Sequence, residues 1–276
     1  MQEKFKSLAA STGIALGVAG LAMLVGSSNA QAANLVTNGS FESITNSDGS
    51  STTVGGQLGY NKTATGWTVP VPNSNSSSST YNSINSYSFL FTPGSAANGT
   101  GVTGQYGGFQ LWGPGNGSAN GLPATSPNGG NYIATDSAFQ NNGVSSISQT
   151  LSGLITGQQY AVSFYDAAAQ QQGFDGATTD QWQVSLGNQT LNSTAFSIPT
   201  HGFSGWKAES LRFTATSSSS VLNFLATGGP NGLPPFALLD GVSVNAVPEP
   251  SFVWGLGAMM AFGLSAAFKA KLAIKK

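Results

Sequence analysis

The clearest order in this sequence is an alternation of apolar and polar positions with a period of two, dominant from Gln158 onward. Tyr160, Val162 and Phe164 share one face of an extended segment, and Trp182, Val184 and Leu186 share another. Leu211, Phe213 and Ala215 follow, then Leu222, Phe224 and Ala226, then Leu238, Asp240, Val242 and Val244. Successive side chains of a strand point to opposite faces, so each run predicts a strand with one buried face. The runs are separated by turn-forming clusters such as Ser217–Ser220 and Gly228-Gly229-Pro230-Asn231-Gly232. No amphipathic helix interrupts them. The pattern predicts an all-β fold, an antiparallel β-sandwich.

The stretch from Ser43 to Gly130 differs. It is rich in Gly, Ser, Asn and Thr, yet it holds Tyr60, Trp67, Tyr81, Tyr87, Phe89, Phe91, Tyr106, Phe109 and Trp112. Flexible polar segments lack aromatic residues, so this region reads as long loops joining strands. Those strands are expected at Gly66–Val71, Ser86–Phe91 and Phe109–Trp112.

The two ends follow another pattern. Lys4 and Lys6 precede an uncharged, mostly apolar run from Leu8 to Gly26, and Ala30-Gln31-Ala32 offers the small-x-small pattern that signal peptidase cuts. Residues 1–32 therefore read as a secretory signal peptide, with an uncleaved N-terminal anchor as the alternative. At the other end, Ser251–Phe268 is uncharged and long enough to cross a bilayer as one helix, and Lys269, Lys271, Lys275 and Lys276 follow it. Cations stay on the cytoplasmic side, so the C-terminus faces in and residues 33–246 face out.

Charge narrows the partners. Residues 33–246 carry three basic side chains (Lys62, Lys207, Arg212) against eight acidic ones, a net charge of −5. Three scattered cations cannot neutralise a row of phosphates, which argues against nucleic acid. The remaining surface is uncharged and polar, suited to neutral, hydroxyl-rich partners.

The chemistry of catalysis is missing. There is no cysteine and only one histidine, His201, so a zinc site has too few ligands. No Gly-x-Ser-x-Gly elbow and no Gly-Lys-Ser/Thr phosphate loop occurs. Glu42 and Glu209 are the only glutamates of residues 33–246, with no glycosidase signature around them. Asp175 and Asp180, around Gly176, offer a second oxygen-rich ion loop, but their five-residue spacing with Ala and Thr between reads more simply as a solvated turn. A binding or structural protein is expected, and not an enzyme.

Val247-Pro248-Glu249-Pro250-Ser251, then one hydrophobic helix, then a basic tail, resembles the PEP-CTERM sorting signal of Gram-negative bacteria. The resemblance covers residues 247–276 and implies processing by an exosortase, membrane insertion before that cut, and a final place at the cell surface or in an exopolysaccharide-rich biofilm matrix. The tail here contains Lys only, whereas the family's is usually Arg-containing. Prolines hold the motif extended, as a protease substrate requires.

Asn34–Glu42, Gly66-Trp67, Ser148–Leu151 with Gly157–Tyr160, Gly205-Trp206 with Leu211–Ala215, and Leu239–Val244 occur in the order found in galactose-binding-like jelly rolls, which the chain resembles. Many carbohydrate-binding modules belong to that group. The resemblance implies a jelly roll opening with a strand at Asn34–Glu42, and a structural calcium held by Glu42 and Asp240. Asp240 also shares the parity of Leu238, Val242 and Val244, which should face the core, and an inward carboxylate needs a hydrogen bond or a cation. A rim position capping backbone amides is the alternative.

A glycan-binding module would stack sugar rings on exposed aromatic side chains. Trp67, Tyr106, Trp112 and Trp206 are the candidates, with Trp112 the most exposed by its Gly/Pro/Asn-rich setting. Trp182 and Trp206 also fit core positions on alternating strands. The expected partner is an extracellular polysaccharide; the alternative is a structural or adhesive matrix protein with no defined small ligand.

Overall fold

The computed structural model describes residues 33–70, 86–138 and 145–248. The expected signal peptide at 1–32, Glu249, Pro250 and Ser251 of the expected sorting motif, and the expected hydrophobic helix and basic tail lie outside these residues. Among the described residues no helix is long and apolar enough to cross a membrane.

Fifteen strands are described: β1 (Ile44–Asn46), β2 (Gly56–Gln57), β3 (Lys62–Ala64), β4 (Ser88–Phe91), β5 (Val102–Gly104), β6 (Gly107–Phe109), β7 (Tyr132–Asp136), β8 (Ser146–Ser152), β9 (Gln159–Gln170), β10 (Thr178–Leu186), β11 (Gln189–Asn192), β12 (Phe196–Ile198), β13 (Lys207–Thr214), β14 (Ser219–Gly229) and β15 (Pro235–Ala246). Among the described residues helical structure is confined to 3-10 turns, at Pro114–Asn116 and at Ser137 and Ala138. Six strands form one sheet in the order β13-β9-β15-β7-β4-β2. The second runs β11-β10-β14-β8, with β12 also paired to β10. Every pairing between these strands is antiparallel. From β8 onward the long strands alternate between sheets: β8, β10 and β14 lie in one, and β9, β13 and β15 in the other. This back-and-forth makes the fold a jelly-roll β-sandwich.

The alternating residues do what their period requires. Val162, Phe164, Trp182, Val184, Phe213, Leu222 and Phe224 all enter the core between the sheets. Their neighbours Gln181, Gln183, Ser185 and Asn223 stay on the solvent side. A second apolar cluster covers the outer face of the six-stranded sheet. There Phe89, Phe91, Tyr132, Ala134, Phe236 and Leu238 meet Ala96, Val102, Phe109, Leu111 and Leu122 from the segment between β4 and β7. That segment therefore folds back over one sheet as a lid. The lid explains why β7 is buried at every position: one face packs into the inter-sheet core and the other under the insertion.

Three local expectations are corrected. Asn34–Glu42 forms no strand; Asn38 and Phe41 adopt left-handed backbone, and the segment is tied to β15 by Leu35 N to Val244 O and Val242 N to Gly39 O. Of the strand expected at Gly66–Val71, the described residues form a single bridge, Thr68 with Ser148. Phe109–Trp112 is split, with β6 ending at Phe109 and Leu111 bridging to Gln171.

Asp240 is buried as its pattern required, but it faces the other way. Leu239 lies in the inter-sheet core while Leu238 lies in the outer cluster. The pairing of β15 with β9 then shifts register between Asp240 and Ser243, with Gly241 at φ 61°. This β-bulge returns Val242 and Val244 to the inner face. Asp240 thus shares the side of Leu238, under the insertion, and not the side of Val242.

Candidate functional site

The structure separates the four aromatic candidates. Trp67 is 6% exposed and sits in the inter-sheet core, its ring 5.2 Å from that of Phe41. Its indole nitrogen donates to Asn38 O at 2.9 Å, so it holds the opening segment in place and offers no free face. An edge of Trp67 does border a small apolar cleft with Leu58, Thr63 and Val69.

Trp112 is half-buried and braced by His201. The two ring centroids lie 3.8 Å apart, tilted by 32°. Its indole nitrogen donates to Phe174 O at 3.0 Å. His201 Nε2 lies 2.5 Å from Asp175 Oδ1, and the His201 carbonyl accepts from Ser118 Oγ and Asn120 Nδ2. Trp112 therefore joins three loops and is no stacking platform. The cause is tertiary: His201, from a distant loop in left-handed backbone, seals the face that the local Gly/Pro/Asn sequence suggested was open.

Trp206 is half-buried at the margin of the outer cluster, edge-on to Tyr132 at 5.4 Å and near Phe203. Its indole nitrogen is buried without a hydrogen-bond partner.

Tyr106 is different. It is 64% exposed at the turn of the β5–β6 hairpin. It stands over a hollow lined by Gln57, Tyr87, Phe89, Gly107, Gly108 and Gln171. Gly107 and Gly108 face open space, so the backbone there is bare to a ligand. The floor is a stack of rings: Phe89 lies parallel to Phe109 at 3.8 Å, and Tyr87 meets Phe89 edge-on at 5.1 Å. Gln57 fixes the hairpin, accepting from Gln105 N at 2.6 Å and donating to Ser86 O at 3.0 Å. Burial, with the charge of Asp136 behind it, pushes the Tyr87 hydroxyl up to about 12, which keeps it a neutral donor at physiological pH. An exposed phenol, the half-buried Gln171 amide and bare backbone beside apolar rings can grip a ring that is apolar on one face and hydroxylated at its edge, while the fully buried Gln57 only holds the hairpin.

The two proposed calcium ligands differ in their surroundings. Glu42 is exposed and its Oε1 accepts from Asn131 N at 2.7 Å. Asp240 is fully buried; Oδ1 accepts from Gly241 N at 2.6 Å and Oδ2 from Ser126 Oγ. Burial pushes Asp240 up to about 7, and the nearby charge of Glu42 adds to the rise. The donor set, two carboxylates and the Ser126 hydroxyl, is of the hard kind that calcium takes, although the Asp240 oxygens are already met by Ser126, the Gly241 N–H and Asn128. Among the described residues no group of three or more His, Asp or Glu converges.

Other buried carboxylates were not foreseen. Asp180, read as part of a turn, is an inward residue of β10, 1% exposed and bonded to Ser137 Oγ at 2.5 Å. Asp136 and Asp166 are also fully buried. Parity would have placed Asp166 inward beside Val162 and Phe164.

No family model matches the chain, and no curated protein does either. Solved structures with some likeness include a family 4 carbohydrate-binding module, at 13% identity and a TM-score of 0.31, covering 77% of this chain and 99% of the other. A second is the CBM22-1 xylan-binding domain from Paenibacillus barcinonensis, at 12% identity and 0.29, covering 51% and 81%. A third is the C-terminal CBM6 of a laminarinase from Zobellia galactanivorans, at 12% and 0.26, covering 44% and 84%. At such identities and scores these likenesses say nothing of this chain's ligand, and the fold rests on the sheet pairing itself.

Proposed function

We propose that this chain is an exported, non-catalytic glycan-binding protein of the bacterial surface, and that the Tyr106 hollow receives the sugar. The observation that carries this reading is the pairing of a 64% exposed tyrosine with a hollow of amide side chains and bare glycine backbone. An exposed phenol ring beside such a hollow offers a face on which the apolar side of a sugar can stack. The preferred ligand is a neutral segment of extracellular polysaccharide, since Tyr106, Gln57 and Gln171 bring no charge. In the same reading a calcium ion at Glu42 and Asp240 ties the opening segment to β15 and is structural.

Sorting by exosortase completes the proposal. β15 ends at Ala246, and Val247 is held to the fold by its N–H to Gln159 O and by Gln158 Nε2 to its carbonyl. Pro248, the first residue of the Pro-Glu-Pro run, is exposed directly after the sandwich stops, which supports this reading.

A second reading, a structural matrix protein, draws on the outer face of the five-stranded sheet. Ser148, Thr150, Gln181, Gln183, Ser185, Asn223 and Thr227 face outward there without a charge among them. Such a face suits weak, repeated contacts.

A glycan array followed by calorimetry separates the two. Glycan binding that falls by about tenfold or more in Tyr106→Ala, with the melting temperature unchanged, supports the first reading. An array without binding, joined to a biofilm defect on deletion of the chain, supports the second.

A further inference from the structure

We propose that the seam between the two sheets at the β13 edge is a second cation site, for a hard divalent ion such as calcium, built on the carboxylates of Asp166 and Glu209. Register places them. β13 pairs with β9 so that Lys207 lies opposite Asp166 and Glu209 opposite Phe164. Phe164 belongs to the inter-sheet core, so Asp166, Lys207 and Glu209 all share that inner face at the sheet's edge strand. Asp240 lies on the opposite face of the same sheet, beside Leu238, so the two sites are distinct.

The link between β11 and β12 closes the seam from the other sheet. Thr194 N donates to Glu209 Oε1 at 3.3 Å, and Lys207 Nζ lies 3.3 Å from the same oxygen while donating to Thr194 Oγ1. Lys207 is thus committed to Glu209 and Thr194. Asp166, directly opposite it, feels the Lys207 charge but is bonded to no partner: it is fully buried and neither of its oxygens accepts a hydrogen bond. The Ser193 hydroxyl is near enough to favour its charge without reaching hydrogen-bonding geometry.

Buried carboxylate oxygens without partners are rare, and each one points to a missing proton, water or ion. Here the surroundings favour an ion. Two carboxylates share one ammonium, and the charge of Glu209 opposes ionisation of Asp166. The oxygens at hand are carboxylate and hydroxyl, with no histidine or cysteine, which is a hard donor set. A path in exists: the Lys207 side chain is 50% exposed and that of Glu209 13%, above a buried Asp166. The incoming ion displaces Lys207 Nζ, which swings out to solvent.

Terbium, a luminescent stand-in for calcium, tests this on the full-length protein carrying Asp240→Asn, so that the first calcium site is silent. Trp182 brackets Ser193 through two backbone contacts, Trp182 N to Ser193 Oγ at 3.1 Å and Ser193 N to Trp182 O at 2.9 Å, and can sensitise the emission. The expected result is terbium emission that calcium competes away, that Asp166→Asn abolishes, and that Lys207→Met strengthens about tenfold by removing the competing ammonium. Glu209→Gln, at the exposed rim, serves if Asp166→Asn fails to fold, and should weaken emission likewise. Emission that survives these carboxyl changes, or that calcium does not compete, or that Lys207→Met leaves unchanged or weaker, would overturn the site.

Discussion

For single residues, the fate of each aromatic side chain turned on contacts that no local pattern contains. Trp182 was legible, because its parity with Val184 and Leu186 puts it inside, and it lies there 1% exposed with its indole bonded to Leu238 O. Trp67 and Trp112 were not, since Asn38 and His201, which occupy them, come from distant parts of the chain. Tyr106 stayed exposed because Gly107 and Gly108 give it no neighbour large enough to cover it. Trp67→Ala should therefore act on stability: the lost ring contacts and the freed Asn38 carbonyl cost about 3–5 kcal/mol, measured by urea unfolding. Retention of full stability in that variant would mean that Trp67 does not anchor the opening segment.

Among the elements, the long strands β8, β9, β10, β13, β14 and β15 could be read in advance because each offers enough alternating positions to fix a face. β1, β2, β3, β5 and β6 are two or three residues long, too short for a period to show. β7 was hidden for another reason: with both faces covered it has no polar face and so no alternation. Edge strand β13 carries Lys207, Glu209 and Arg212, whose charges guard an exposed ladder against pairing with another chain. Within the five-stranded sheet, Gly228 marks where β10, β14 and Ser137 meet. A Cβ there would lie 2.1 Å from Thr179 O and 2.8 Å from Ser137 Cβ. Gly228→Ala must push apart β14 and its partners, and should lower the denaturation midpoint by the equivalent of about 1–3 kcal/mol. An unchanged midpoint would show that the β10–β14 pairing gives way there freely.

Over the whole molecule, the buried carboxyls set how stability depends on pH. Burial pushes Asp136, Asp166 and Asp240 up to about 7, and Asp180 well above its ordinary 3.8. Each of these groups holds its proton in the folded state over a range where the unfolded chain has released it. The folded state then binds more protons than the unfolded one, so stability falls as pH rises from about 4 through about 7. Raising one carboxyl from 3.8 to about 7 removes about 4 kcal/mol by neutral pH when nothing offsets it. The three groups raised to about 7 would by themselves remove an amount comparable to the stability of an ordinary domain, about 5–15 kcal/mol, so some of this cost must be offset. Between residues 33 and 246 only Lys62, Lys207 and Arg212 are basic, and of these Lys207 alone favours ionisation of one of the four. Calcium at the two proposed sites would supply that compensation at Asp240 and Asp166, because a cation favours the ionised form. In chelator the melting temperature should therefore drop steadily from about pH 4 to about pH 7. With saturating calcium it should hold level or rise over the upper part of that range. Identical curves with and without calcium would leave these carboxyls protonated in the native protein and remove both ions from it.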